Sequence, residues 1–387
     1  MSRNLKDRLS RIRSTGGASA GRGSSSPDPV ELTEWPLWTA AGYKTLKREL
    51  CFELPVPLVG ELSGAMQLLV PDFARLGRVP SPGELLFFDL ETTGLSGGAG
   101  TIAFLAAFGR LRDNGRLAIT QYLLLDYPGE ADFIEMAVKE FRSARSDGAL
   151  PVVVSYNGKC FDSQILRNRC LMNGINVPGY YHADLLHPAR RLWKRVLNDC
   201  SQSTVEVSVL GLDRTGDVSG AFAPEIWFSF LRSGDNRELI SICDHNVKDI
   251  RGLAAIFLAL AEISEAPLTS RDKYRFDLEA LAVHWHAASK KNRFASSANE
   301  SLRCHGRTGE LLLKNAAESG SCRAAITLAI DAEWRLRDPA LAHFYTLLAL
   351  GNPALPENQR EALEKRKNRL EKKGNHEHME KDKNYSS

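Results

Sequence analysis

Residues 85–94 read Leu-Leu-Phe-Phe-Asp-Leu-Glu-Thr-Thr-Gly, an apolar run that ends on two acids and a turn. Such a run, bounded by turn residues, predicts a buried strand. Successive strand side chains point to opposite faces, so Asp89 and Glu91 share one face and can share a metal. Thr92 and Thr93 follow with two hydroxyls, and Gly94 permits a turn where a ligand backbone can approach closely. Thr92 and Thr93 are therefore candidate substrate contacts.

Downstream, residues 101–111 (TIAFLAAFGRL) and 117–126 (LAITQYLLLD) repeat the apolar pattern across turns containing Gly and Asn. This predicts a three-strand antiparallel meander. Residues 131–145 then read as a helix, 151–157 (PVVVSYN) as a buried strand, 161–174 as a helix ending at Gly174 and 180–187 (YYHADLLH) as a short strand. Further helices are expected over 188–197 and 223–232, and one long helix over 236–263. The alternation predicts an α/β domain over 84–263, a mixed sheet flanked by helices.

Two further stretches hold acids in telling positions. In Ser155–Asp162 a strand runs into a helix whose first turn carries Asp162, a place that N-terminal capping also uses. Asn157 lies in the same turn, which it could simply shape. In His245–Asp249, within the long helix, i and i+4 residues share a face, so His245 and Asp249 look toward one site.

Together these elements resemble the DEDD exonucleases, whose first motif is DxE, whose second ends in Asp and whose third has Tyr or His before a final Asp. The stretch 156–162 (YNGKCFD) is similar to the NxxxFD motif of the proofreading domain of family-B DNA polymerases. The stretches DLETTGLSGGAGT, YNGKCFD, DLLHPARRLWKR, DVSG and HNVKDIRGLA resemble the YprB-like family of bacterial ribonuclease-H-like proteins over residues 84–262. That resemblance implies a ribonuclease-H-like fold in which Asp89, Glu91, Asp162 and Asp249 bind two divalent ions, Mg2+ or Mn2+. It also implies His245 near the attacking water, a substrate contact at Asn157, 3′-to-5′ exonuclease polarity and a DNA-repair role beside a helicase. In one respect the sequence departs from the family: three residues separate His245 from Asp249, where histidine-type members have about four.

Simple electrostatics makes a parallel demand. Two like charges about 4 Å apart repel by roughly 4 kcal/mol at an effective dielectric near 20, so four converging acids must bind cations or take up protons. Hard divalent ions with oxygen ligands resolve the conflict and support in-line phosphodiester displacement. An ordinary imidazole titrates near about pH 6.5, so His245 acting as a base predicts activity falling below that pH. A non-catalytic binding module on the same fold, or an endonuclease, is the competing expectation.

Other groups carry weaker signals. Asp184 is expected to be structural, and His182 with His187 match no zinc spacing. Arg190, Arg191, Lys194 and Arg195 form a basic helix face able to track phosphates. The net charge of +3 over 387 residues names no polyanionic partner by itself, so a nucleic-acid site must be local. Seven scattered cysteines without CxxC spacing disfavour a disulfide framework, and the chain has no apolar run of membrane-spanning length. A cytoplasmic protein that contacts nucleic acid and no membrane is expected. Residues 1–30 read as a disordered basic arm, 31–83 as a lead-in, 270–350 as a tetratricopeptide-like helical domain that could meet a helicase or other partner, and 351–387 as a charged, solvated tail.

Overall fold

Alternation along residues 39–53 and 85–184 builds one seven-stranded sheet in the computed structural model, which describes residues 35–57, 62, 66–76, 78–94, 100–112, 115–142, 150–291, 300–353 and 355–384. The basic arm expected over 1–30 lies outside the described residues. The strands are β1 (Thr39–Gly42), β2 (Thr45–Glu53), β3 (Leu85–Thr92), β4 (Ala103–Leu111), β5 (Arg116–Leu124), β6 (Val152–Ser155) and β7 (Tyr181–Asp184). They lie in the order β1-β2-β5-β4-β3-β6-β7. The expected meander is β3-β4-β5, antiparallel throughout, and β6 and β7 continue the sheet in parallel from β3.

The lead-in contributes β1 and β2 to the sheet, with β2 antiparallel to β5 from Thr45↔Leu124 to Glu53↔Arg116. Its polar residues hide the strand signal, because Arg48 is only 5% exposed and occupies a position where an apolar residue is the usual sign of burial.

The helices beside the sheet are α1 (Glu130–Arg142), α2 (Asp162–Met172), α3 (Leu186–Trp193), α4 (Gln202–Leu210), α5 (Ala223–Ser233) and α6 (Arg237–Glu265). Helix α4 has its valines at every second position, the period of a strand, yet it is capped by Ser201 accepting from the Thr204 amide and closed by left-handed Gly211. The long α6 packs on β3 and β4, where Ile250 meets Gly109 so closely that a Cβ there would lie 2.6 Å from Ile250 Cγ2. Phe257 reaches the ring of Phe87 edge-on at 5.8 Å. Leu253 to Ala261 are buried without a break, so α6 is the spine of the core.

A helix-rich region follows: α7 (Pro267–Tyr274), α8 (Leu278–Lys291), α9 (Glu300–Glu318), α10 (Cys322–Asp331), α11 (Pro339–Leu350) and α12 (Glu357–Asn384). Trp285 of α8 joins the sheet-domain core, while Ala282 of the same helix belongs to a second core with Leu313, Leu328 and Tyr345. Residues 357–384, expected to be solvated, are helical, and Leu363 and Leu370 are buried against that region. Among the described residues no helix is long and apolar enough to cross a membrane, and six of the cysteines are free.

Candidate metal centre

Because β3 and β6 run parallel, their carboxyl ends open at the same edge of the sheet. Asp89 and Glu91 lie near the end of β3, and the register to β4 shifts between Glu91 and Thr92, a bulge that re-aims the side chains around it. The turn after β6 delivers Asp162 as the first residue of α2. Helix α6, lying across the sheet, brings His245, Asn246 and Asp249 to the same place.

The four acids expected from the motifs converge. Burial, then the charges of Asp162, Asp249 and Glu91, hold the Asp89 carboxyl well above the ordinary range, against a bond from Asn246. Glu91 is pushed up to about 8, first by burial and then by Asp249, although His245 opposes the shift. Burial and the neighbouring Asp184 carry Asp162 to about 7. Glu91, His245 and Asp249 each offer one ligand atom within 4.8 Å of the others. A mostly carboxylate donor set of this kind fits hard divalent cations.

His245 differs from the free imidazole expected of it. Its Nδ1 lies 2.9 Å from Asp217 Oδ2 and its Nε2 3.2 Å from Asp249 Oδ2. Burial pulls its pKa down, but the hydrogen bond to Asp249, reinforced by Asp217 and Glu91, prevails and carries it up to about 9. Without cations, therefore, His245 is no neutral base near pH 6.5.

The candidate substrate contacts shape turns. Thr92 Oγ1 donates to Gly94 O at 3.0 Å, and Thr93 Oγ1 accepts from the Ile102 amide at 3.0 Å. Asn157 adopts a left-handed φ of 66°, and its amide donates to Asp184 Oδ1 at 2.8 Å. Asp184 also accepts from the Lys159 and Leu186 amides, so its task is to set the turn that carries Asp162. His182 sits between the Ser155 and Ser163 hydroxyls. Of the expected basic face, Arg190 on α3 and Lys194 and Arg195 in the turn after it are exposed, whereas Arg191 tucks inward and donates to Leu69 O.

Several polar partners had no individual signal. Asn246, fully buried, donates to Asp89 Oδ2 at 2.6 Å. Its own Oδ1 accepts from Gln121, whose Oε1 accepts from Arg48 Nε. Arg214 reaches Glu206, Asp217 and Asp249 at 2.5–2.7 Å. A cleft of about 410 Å³ opens beside these groups, lined in part by Arg214, Asp217, Gly220, His245 and Asp249. Gly220 lies close against the ring, since a Cβ there would come 3.1 Å from His245 Nε2, tighter than ordinary contact. Both DVSG and HNVKD carry these residues, and that was the available signal for Asp217 and Asn246.

Comparison with known proteins bears on the domain that holds these residues. Residues 86–261 match the RNase_H superfamily. The chain is 34% identical over 223 residues to the uncharacterized protein YprB of Bacillus subtilis (strain 168), covering 57% of this chain and 51% of YprB. It thus spans about half the length of that relative. Among solved structures it is similar to the family B DNA polymerase of Pyrobaculum calidifontis, at a TM-score of 0.36 and 15% identity, over 54% of this chain and 29% of the polymerase. The domain that carries the four acids is ribonuclease-H-like in fold and similar in sequence to YprB.

Proposed function

We propose that this chain is a metal-dependent nuclease, a 3′-to-5′ exonuclease that hydrolyses phosphodiester bonds in DNA or RNA. The observation that carries the reading is the convergence of four carboxylates from three separate chain segments, Glu91 and Asp162 buried and Asp89 and Asp249 partly so. Similarity to the RNase_H superfamily supports a nuclease. Two divalent ions, Mg2+ or Mn2+, would supply an activated water and charge neutralisation at the departing oxygen.

The chain's own groups do the rest. The four acids would hold the cations, whose charge would favour the ionised forms of Asp89, Glu91 and Asp162 that burial disfavours. His245 turns its Nε2 toward Asp249, on the side where the cations would sit. The turns built by Thr92, Thr93 and Asn157 adjoin the segments that carry Glu91 and Asp162, where a sugar-phosphate strand can approach. Exposed Arg190, Lys194 and Arg195 track phosphates, so binding weakens as salt rises. The helix-rich region serves as a tetratricopeptide-like surface for a protein partner such as a helicase, consistent with a role in DNA repair in the cytoplasm.

The test is cleavage of end-labelled single- and double-stranded DNA and RNA with magnesium, manganese or EDTA, comparing wild type with Asp89→Asn and Asp249→Asn. Metal-dependent shortening from the 3′ end is expected, with a loss of about 10²-fold or more in each variant, the scale of several kcal/mol of charge stabilisation. Binding without cleavage under every metal condition would make the chain a non-catalytic module instead.

A further inference from the structure

The stretch from Gly211 to Gly220 contributes none of the four acids, yet it closes one side of their cleft. Asp217, whose side chain is 10% exposed, uses both of its oxygens there. Its Oδ2 lies 2.9 Å from His245 Nδ1 and accepts from Arg214 Nη1 at 2.7 Å, while Oδ1 accepts from Lys248 Nζ at 3.0 Å. An ionised carboxylate can only accept, so the ring nitrogen facing it must carry a proton. The hydrogen bonds from Arg214, Lys248 and His245 outweigh burial and hold Asp217 down at about 2, in its ionised form.

Arg214 fixes where that carboxylate stands. Its guanidinium is a planar fork with five donors, and it spans three acids. Nη1 meets Asp217, Nη2 meets Asp249 Oδ1 at 2.6 Å, and Nε meets Glu206 Oε2 at 2.6 Å. Asp249 Oδ2 is thereby the oxygen turned toward His245 Nε2. The fork sets the distance between Asp217 and Asp249, and the imidazole ring is gripped between them.

We infer that Asp217 is a positioning residue: it keeps a proton on His245 Nδ1 and so presents Nε2 to the reacting side of the site. This deepens the nuclease reading and rests on it. A loop tether that merely stabilised residues 211–220 would leave the tautomer of His245 and the chemical step unchanged.

The experiment uses the full chain, wild type beside Asp217→Ala and Asp217→Asn. Three quantities are read: kcat and KM on an end-labelled oligonucleotide with manganese, the thermal melt, and the 15N signals of the His245 ring in the metal-free protein at about pH 10.5, where imidazoles are neutral. In Asp217→Ala, kcat is expected to fall about 10- to 100-fold, the usual loss when a group behind a ligand or base is removed, with KM little changed. The Nδ1-protonated signature of His245 disappears with it. Asp217→Asn keeps an oxygen that accepts from Nδ1 and restores most of both. Asp217→Leu, of similar shape without an acceptor, takes the place of the alanine variant if that one does not fold. Full kcat together with an unchanged His245 tautomer in a folded variant overturns the inference and leaves the nuclease reading standing. A wild type that cleaves nothing while its His245 tautomer still depends on Asp217 overturns the nuclease reading and supports the positioning role.

Discussion

Asn246 follows His245 directly but faces inward, where its amide meets Asp89, 157 residues away in sequence. Removing it leaves a buried carboxylate without its donor, so Asn246→Ala is expected to lower unfolding free energy in urea by about 1–3 kcal/mol. Manganese should restore part of that loss. His182 offers a pH test away from the acids. Burial, with Lys159 nearby, depresses its pKa from 6.5 to about 4. The unfolded chain therefore binds more protons at this site between those values, and the contribution of His182 to stability falls as pH drops through that window. The loss of that contribution approaches on the order of 3 kcal/mol below the folded-state pKa and runs against the proton uptake of the raised acids, so it should be read as the change in stability difference between wild type and His182→Gln in melts taken from pH 7 down to about 4. The acids were legible at this scale because each sits in a short local pattern. Their partners were not, since Arg214 and Asp249 are 35 positions apart, and no local period links a loop arginine to a helix aspartate.

At the scale of elements, α6 was readable from its long apolar period, while β2 and α4 were not: one hides a buried arginine, the other carries strand-like valines on a helix. Helix α4 matters because its Glu206, fully buried, holds Arg214. Room for Glu206 comes from Gly252 on α6, where a Cβ would lie 1.7 Å from Glu206 Oε1. Glycine to alanine inside a helix ordinarily gains about 1 kcal/mol. Here the sign reverses: Gly252→Ala should cost about 1–3 kcal/mol by overpacking, measured by urea unfolding, and should reduce the cleavage rate as Arg214 shifts. An alanine variant as stable as wild type would show that Glu206 has somewhere else to go.

Across the whole molecule, the fold class was legible and the helical content of the C-terminal region with it, but the burial of α12 was not. Its sequence is mostly charged, and among the described side chains Leu363 and Leu370 mark the side that faces inward. Leu363→Ala and Leu370→Ala should each cost about 2–4 kcal/mol, read as an earlier melt of the helical region. Cleavage below that transition should stay near the wild-type rate, because neither residue approaches the acids. An equal loss of activity would mean that α8, whose Trp285 and Ala282 belong to two different cores, carries the disturbance into the sheet domain.

The bonds that join Arg48, Gln121, Asn246 and Asp89 have a consequence for polarity. A guanidinium has no lone pair to offer, so Gln121 must turn its oxygen toward Arg48 and its NH2 inward, an orientation the Cys243 carbonyl also demands. Asn246 must then turn the same way. Every dipole in the row points toward Asp89, like compass needles lined up by a magnet placed at one end. Strand β2, which supplies no acid to the cleft, thus decides that the cluster sees the donor end of Asn246 and never its carbonyl.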